Sequence, residues 1–201
     1  MDPIADAVIS LARLTSRFAQ VDRVTFLEDG TTPESDTDHT VMLGLIACAV
    51  AAELDPTLNV GTVAQYALIH DLVEAYAGDT NTFGGIPEDI LRLKEEREHA
   101  ALLRIEAELT HLPWVARTIR AYESLEDREA RYIKTLDKIM PKLTRIVNER
   151  YDTTAEAFEL HVTTQRTKIT ETYAHDQEIA LALFDHLAMR ALAALRTHEA
   201  R

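Results

Sequence analysis

Cysteine, glycine and proline are scarce in this chain of 201 residues, and each scarcity excludes a class of structure. The single cysteine, Cys48, rules out a disulfide framework within one chain and fits a reducing compartment. Only six glycines and six prolines interrupt a sequence rich in Ala, Leu, Glu and Arg, so helix is favoured throughout. No alternation of apolar and polar residues is long enough to predict a strand. We therefore expect an all-α protein, and the absence of linkers and internal repeats indicates one domain over 1–201.

Positive charge is also scarce, since 21 Lys and Arg residues stand against 34 Asp and Glu, a formal net charge of -13. This balance argues against a partner that is a nucleic acid polymer, because phosphate backbones attract basic surfaces. A small anionic substrate stays compatible, because a metal ion and a few nearby Arg or Lys residues can reverse the local field. The N-terminus lacks a basic region followed by an apolar run, and no uncharged apolar stretch is long enough to span a bilayer. We expect a cytoplasmic protein with no signal peptide and no membrane partner.

Apolar residues recur at helical spacing along most of the chain. They predict helices over 4–20, 39–53, 60–77, 88–110, 113–123 and 127–147, and one long or broken helix over 153–200. Pro141 predicts a kink within the helix 127–147, and Asp38 or Thr37 can cap the helix that begins at 39. Residues 22–37 and 80–87 carry turn chemistry and are predicted to be loops, the first long enough to be a candidate substrate loop.

A mostly apolar helix with ionisable residues near its end is the most informative stretch of the chain. His70, Asp71 and Glu74 lie among Leu, Ile and Val residues, where an unpaired charge is strongly disfavoured. Spacings of three and four residues direct all three side chains toward one side of a helix. Gly78 is expected to end the helix in a left-handed conformation, and Asp79 follows it. This pattern is typical of a metal site with a proton-transfer group beside it.

Two further ionisable residues lie in apolar helices, His39 in a first turn and Asp137 in the middle of an apolar stripe. His39 alone could be a surface residue near a helix start, His70 alone a satisfied core histidine, and Asp137 alone could pair with Lys134 or Lys138. Together, His39, His70, Asp71 and Asp137 give two imidazoles and two carboxylates, which suit a divalent metal with positions left open for water and substrate. We predict that these four residues bind one divalent ion. The ligand types do not choose among Mn, Co, Fe, Ni, Zn and Mg.

The order of these four residues resembles the signature of the HD-domain metal-dependent phosphohydrolases, a His, then a His-Asp pair, then an Asp. The flanking segments look like the branch that contains the bacterial 5'-deoxynucleotidases, namely SDTDH at 35–39, HDLVE at 70–74, GD at 78–79 and TLDKI at 135–139. The resemblance runs from about Leu11 to Leu143. It implies an HD-type helical bundle with a metal-site core over about 11–143 and a C-terminal helical extension over about 153–200. It also implies a homodimer, for which the alanine and leucine face of the C-terminal region could supply an interface.

The resemblance also assigns roles to single residues of this sequence, beginning with the four residues that match the metal ligands. Glu74 matches the catalytic carboxylate that handles the attacking water and its proton. Asp79 matches an active-site residue that contacts the substrate near the sugar and the scissile phosphate. Arg23 matches a phosphate-contacting Arg in the loop before the first His. Val24 stands where the branch has a Trp that helps to exclude a 2'-hydroxyl, so the sugar preference is open.

The expected reaction is the metal-dependent hydrolysis of nucleoside 5'-monophosphates, of the deoxyribose series by resemblance, to nucleoside and phosphate. A first alternative is a dNTP triphosphohydrolase of the same superfamily. It ranks second because it needs extra cations for the outer phosphates, and the loop 22–37 offers only Arg23. A second alternative is an inactive nucleotide-binding protein. It ranks third because the four ligands and Glu74 are all present in the sequence.

Overall fold

The computed structural model describes residues 1–81, 85, 87–150 and 152–200, and within them the chain is helical apart from one short hairpin. The elements in chain order are α1 Asp2–Phe18, β1 Asp22–Phe26, β2 Pro33–Ser35, α2 Asp36–Leu54, α3 Val60–Ile69, α4 Glu74–Ala77, α5 Glu88–Glu108, α6 Trp114–Ser124, α7 Arg128–Asp137, α8 Met140–Asn148, α9 Ala155–Thr172 and α10 Glu178–Glu199. The all-α prediction is therefore confirmed. Half of the predicted loop 80–87 lies outside the described residues.

Helices α2, α3 and α7 form the part of the core that positions the site. Gly44 of α2 faces Ala67 of α3, and a Cβ at Gly44 would lie 3.7 Å from the Ala67 Cβ, so the two helices approach closely. Tyr132 of α7 is fully buried and donates a hydrogen bond of 3.0 Å to the carbonyl of Ala47 in α2. Fully buried side chains around them include Leu43, Val63, Ile133 and Leu136. Each such side chain contributes about 1.5–3 kcal/mol of hydrophobic stabilisation.

The predicted loop 22–37 is partly a hairpin, which corrects the expectation that the chain forms no strands. Strand β1 pairs with β2 in antiparallel register, Asp22 with Ser35 and Phe26 with Pro33. Both strands are too short for an alternating pattern to be recognised. Ser35 ends β2 and also caps α2, because its side chain accepts from the Asp38 N–H while the Asp38 carboxylate accepts from the Ser35 N–H. The cap is therefore Ser35 rather than Asp38 or Thr37.

The predicted helix 60–77 is interrupted, and the interruption carries the His-Asp pair. Helix α3 ends at Ile69, residues 70–73 form turns, and α4 begins at Glu74. Bonds of the i to i+3 type hold the turn, from Leu72 N–H to the Ile69 carbonyl and from Glu74 N–H to the Asp71 carbonyl. Gly78 does end α4 with a positive φ of 74°, but its ψ of 150° lies outside the left-handed helical region that was expected.

The predicted helix 127–147 is also divided, since α7 ends at Asp137 and α8 begins at Met140. Pro141 lies in the first turn of α8, where its missing N–H leaves no helical hydrogen bond unmade. The divided helix at 127–147 therefore places Asp137 at a helix end instead of inside a kinked helix.

The C-terminal region is the broken form of the predicted helix, with α9 and α10 separated by residues 173–177. The alanine and leucine face of α10 is buried inside the chain, including Ala180, Leu181, Leu192 and Leu195. It packs on α7, α8 and α9, so it does not offer the free face that was expected for a dimer interface. Exposed apolar side chains lie elsewhere, among them Val41 and Leu45 of α2 and Leu68 of α3.

Helix α2 is long and apolar enough to cross a membrane by length and composition, and it is the only such helix in the described part of the chain. The helix carries Asp36, Asp38 and Glu53, so it is not the uncharged apolar stretch that the sequence analysis did not find. A single helix of this kind is weak evidence for a membrane span, because core helices of globular proteins pass the same test. Leu43 and Ala51 of α2 are buried in the core, and the helix carries the buried Asp36 and His39 at its start.

Candidate metal centre

The four predicted ligands converge from three separate parts of the chain. His39 lies in the first turns of α2, His70 and Asp71 in the turn after α3, and Asp137 at the end of α7. One ligand atom from each residue lies within 4.8 Å of all the others. His39 Nε2 is 3.1 Å from Asp137 Oδ1, and His70 Nε2 is 3.0 Å from Asp71 Oδ2 and 4.0 Å from Asp137 Oδ1. The structure thus brings together the residue set that the sequence pattern predicts.

Both imidazole rings are oriented by a contact at Nδ1, so that both Nε2 atoms face the cluster. His70 Nδ1 donates a hydrogen bond of 2.9 Å to the Ala67 carbonyl oxygen. His39 Nδ1 lies 3.3 Å from Oε1 of Glu34, a residue of β2 that is only 1% exposed. Histidine ligands of metals usually donate their second ring N–H in the way that His70 does, whereas the His39–Glu34 contact is an ion pair in which neither Glu34 oxygen accepts a hydrogen bond. The sequence analysis missed Glu34, because a lone Glu among turn residues carries no periodic signal.

The donor set fits a divalent metal ion. His70 Nε2 is buried and has no hydrogen-bond partner among the described residues, although it faces carboxylate oxygens. Burial opposes the ionisation of Asp71 and Asp137, but the charges of His70 and Arg23 outweigh it and hold the pKa of Asp71 below its usual range. Lys138 and His39 do the same for the pKa of Asp137. Two carboxylates that stay ionised beside two imidazoles are a ligand set for a first-row divalent ion.

The acidic contacts of His39 favour its protonated, imidazolium form. Burial alone lowers its pKa, but the contacts with Asp137 and Glu34 outweigh burial and raise the pKa to about 9. A metal ion at Nε2 would displace a ring proton, as metal binding to histidine does in general.

Glu74 lies beside the cluster in the first position of α4, and it is 5% exposed. Its Oε2 has no hydrogen-bond partner among the described residues and lies 4.0 Å from Arg23 Nη1. Burial and the charges of Asp71, Asp36 and Asp79 raise the pKa of Glu74 to about 10. A divalent ion held by Asp71 would oppose these negative charges and favour the ionised carboxylate.

Arg23 of β1 reaches the cluster, where sequence analysis expected it. Its Nη1 donates to Asp71 Oδ2 at 3.1 Å and to Asp36 Oδ1 at 2.9 Å. Asp36 is fully buried, and the sequence analysis missed it because an Asp at a helix start reads as a capping residue. Asp79 is half-buried and lines the same region as Arg23. Burial raises the pKa of Asp79, and the Arg23 charge opposes that rise.

Two cavities meet at the cluster, and both are lined by Arg23, Asp79, Asp137 and Lys138. One, of about 270 Å³, extends between β1, α8 and α9. The other, of about 250 Å³, extends toward α5 and α6. Cationic side chains from outside the loop 22–37 line them, namely Lys94, Lys134, Lys138, Lys142 and Arg145. The site therefore has more positive charge nearby than the loop sequence indicated.

A comparison with models of protein families identifies the family of this chain. The family model described as "HD domain" matches residues 16–178. This chain belongs to the HD-domain family, which confirms the resemblance of its sequence pattern.

Two individual proteins are also similar to this chain in sequence. The chain is 26% identical over 140 residues to human 5'-deoxynucleotidase HDDC2, covering 67% of this chain and 64% of that protein. It is 28% identical over 112 residues to 5'-deoxynucleotidase hdd1 of Schizosaccharomyces pombe, covering 53% of this chain and 54% of that protein. The matches thus span less than two thirds of the length of either relative.

Solved structures share the fold over most of the chain. A protein from Magnetospirillum magnetotacticum described as a predicted metal-dependent phosphohydrolase superposes with a TM-score of 0.67 at 26% identity, covering 92% of this chain and 96% of that one. A conserved hypothetical protein from Pyrococcus furiosus superposes with a TM-score of 0.59 at 22% identity, covering 89% and 98%. The second likeness concerns the fold alone.

Proposed function

We propose that this chain is a metal-dependent phosphohydrolase that converts nucleoside 5'-monophosphates, of the deoxyribose series, to nucleoside and phosphate. The observation that carries the proposal is the cluster of His39, His70, Asp71 and Asp137, whose ligand atoms lie within 4.8 Å of one another beside the buried carboxyl of Glu74. The relatives that are named 5'-deoxynucleotidases support the substrate class.

The four clustered residues would hold one divalent ion, which when bound lowers the pKa of water and offsets charge on a phosphoryl group. Glu74 accepts the proton of the attacking water at its free Oε2 and can return it to the leaving 5'-oxygen. Arg23 donates to a phosphoryl oxygen and stabilises the charge that develops there. Asp79 contacts the substrate on the sugar side of the scissile phosphate.

The cations around the two cavities bear on the choice between a monophosphate and a triphosphate. Lys94, Lys138 and Arg145 lie in ion pairs with Glu98, Asp137 and Asp152 respectively. Cations that are already paired offer less to the outer phosphates of a triphosphate. The monophosphate therefore ranks first and the dNTP triphosphohydrolase second, although the second has more cations available than Arg23 alone.

The test is phosphate release by metal-stripped protein that is supplied in turn with Mn, Co and Mg. The substrates are ribo- and deoxyribonucleoside mono- and triphosphates, and the matched variant Glu74→Gln keeps the side-chain size but removes the base. One phosphate from each monophosphate, reduced at least about a hundredfold in the variant, is the expected result. Release of intact triphosphate from a dNTP would favour the second candidate. Metal and nucleotide binding without turnover of any substrate would favour an inactive nucleotide-binding protein.

A homodimer, which rests on the family resemblance, and a cytoplasmic location, which rests on the single cysteine and the N-terminal sequence, complete the proposal. Light scattering at micromolar protein concentration tests the assembly, and a single monomeric species would refute it. The native metal is left to the metal series in the same activity assay.

A further inference from the structure

One guanidinium lies among three carboxylates at the edge of the candidate metal centre. Nη1 of Arg23 is 2.9 Å from Asp36 Oδ1, 3.1 Å from Asp71 Oδ2 and 4.0 Å from Glu74 Oε2. The Arg23 side chain is only 14% exposed, so its charge is poorly screened by water. Asp71 is a predicted metal ligand, so a metal ion and Arg23 would draw on the same carboxylate.

The fold holds the Asp36 carboxylate in a fixed position against the Arg23 guanidinium. Ser35 and Asp38 form the capping box of α2, so the Asp36 carboxylate is not used as the helix cap. The Asp36 N–H donates to the Val21 carbonyl at 3.0 Å, which ties the start of α2 to the residue before β1. The carboxylate itself is fully buried, and its Oδ2 has no hydrogen-bond partner within the described ranges. A buried carboxylate needs a counter-charge, and Arg23 supplies it.

The geometry leaves Arg23 donors for a substrate. Both of its hydrogen bonds to carboxylates come from Nη1, and a guanidinium has further N–H groups on Nε and Nη2. Arg23 also lines both cavities at the cluster. Held by Asp36, the guanidinium keeps a fixed position from which these groups can meet a phosphoryl oxygen. Without Asp36, its nearest anionic partners are Asp71 and Glu74.

We propose that Asp36 is a positioning residue: it shares the Arg23 guanidinium with the predicted metal ligand Asp71, so that the Arg23 charge is not directed at that ligand alone and its remaining donors serve the phosphate. The role of Arg23 toward the phosphate rests on the proposed function. The effect of Asp36 on the metal ligand Asp71 rests on metal binding alone. Asp36 contacts neither the substrate nor the predicted ion in this account. It acts through Arg23, so its effect must disappear when Arg23 is absent.

The test is a double-mutant cycle on metal affinity, measured by calorimetric titration of Mn²⁺ into metal-stripped protein without substrate. Asp36→Asn, which keeps the side-chain shape, and Asp36→Ala are each expected to weaken Mn²⁺ binding about tenfold, the scale of coupling between contacting charged residues. In the Arg23→Ala background, Asp36→Ala is expected to cause no further loss. Asp22→Asn, an exposed change of the same charge in β1, is the control and is expected to leave the affinity unchanged.

The cycle separates positioning from a simple loss of negative charge. If Asp36 only attracted the cation by its charge, removing it would weaken Mn²⁺ binding equally with and without Arg23, and this result would overturn the proposal. Unchanged affinity in Asp36→Asn and Asp36→Ala would overturn it as well. Thermal melts identify any variant that fails to fold, and Asp36→Asn and the double variant keep the test decisive if Asp36→Ala does fail.

Turnover supplies a second readout that depends on the proposed function. With a nucleoside 5'-monophosphate and saturating Mn²⁺, Asp36→Asn is expected to lower kcat/KM about tenfold, and to lower it no further when Arg23 is already alanine. A further loss in the Arg23→Ala background would contradict positioning through Arg23. If the wild-type protein hydrolyses no nucleotide, the proposed function fails, but the calorimetric cycle still decides the role of Asp36.

Discussion

Removing the charge of Glu34 is expected to weaken metal binding, although Glu34 is not a predicted ligand. Its Oε1 lies 3.3 Å from Nδ1 of His39, and it is the carboxylate that turns His39 Nε2 toward the cluster. Losing such a partner typically costs 10- to 100-fold in metal affinity. The 3.3 Å contact is an ion pair without a hydrogen bond, longer than the roughly 2.7–2.9 Å of a charge-assisted hydrogen bond, so we expect the lower end. Glu34→Gln should therefore weaken binding about tenfold, or about 1.4 kcal/mol.

The assay is calorimetric titration of Mn²⁺ into metal-stripped Glu34→Gln. Its control is Glu28→Gln, an exposed change in the same hairpin that should leave the affinity unchanged. Loss of Glu34 also removes one of the contacts that raise the pKa of His39, which makes the ring proton easier to displace and partly offsets the loss of affinity. Unchanged or tighter Mn²⁺ binding in Glu34→Gln would show that orientation of the ring is not what Glu34 contributes, and would refute the reasoning.

Two further predictions concern stability. Burial, and then the charge of Lys138, lower the pKa of Lys142 from 10.5 to about 7. Between these two pH values the unfolded chain binds more protons than the folded chain. The free energy of unfolding therefore increases as the pH rises from about 7 to 10.5. Lys142→Met should raise the free energy of unfolding at pH 7 by on the order of 4 kcal/mol, and denaturant titrations should show this gain shrinking toward pH 10. A gain that does not change with pH would contradict the lowered pKa of Lys142. Tyr132→Phe removes the hydrogen bond to the Ala47 carbonyl and should lower the free energy of unfolding by about 1 kcal/mol in urea titration, whereas no loss would mean that the bond contributes nothing net.

The cluster was predictable because its members are ionisable residues within apolar runs, where charged side chains are disfavoured. His70 and Asp71 interrupt an apolar run, and Asp137 interrupts another, so each demanded a partner for a buried polar group. Glu34 and Asp36 lie among other polar residues at a strand end and a helix start. Their burial follows from tertiary packing, which carries no periodic mark in the sequence.

The helical content was predictable from apolar spacing, but the breaks in it were not. The apolar pattern continues through residues 70–73, where the backbone turns, because the turn residues Leu72 and Val73 are themselves buried. The strands of the hairpin, with five and three residues, are too short for a period of two to appear. The apolar face of α10 was recognised, but only the structure places it against α8 and α9.

We propose above all that four side chains from three parts of the chain hold one divalent ion on which phosphate release depends. The most direct test measures metal content and phosphate release from a nucleoside 5'-monophosphate on the same samples of wild-type protein, Asp137→Asn and the exposed control Asp89→Asn. We predict one ion per chain and phosphate release for the wild-type and the control, and loss of both in Asp137→Asn. An Asp137→Asn protein that keeps its ion and its phosphate release would contradict the account.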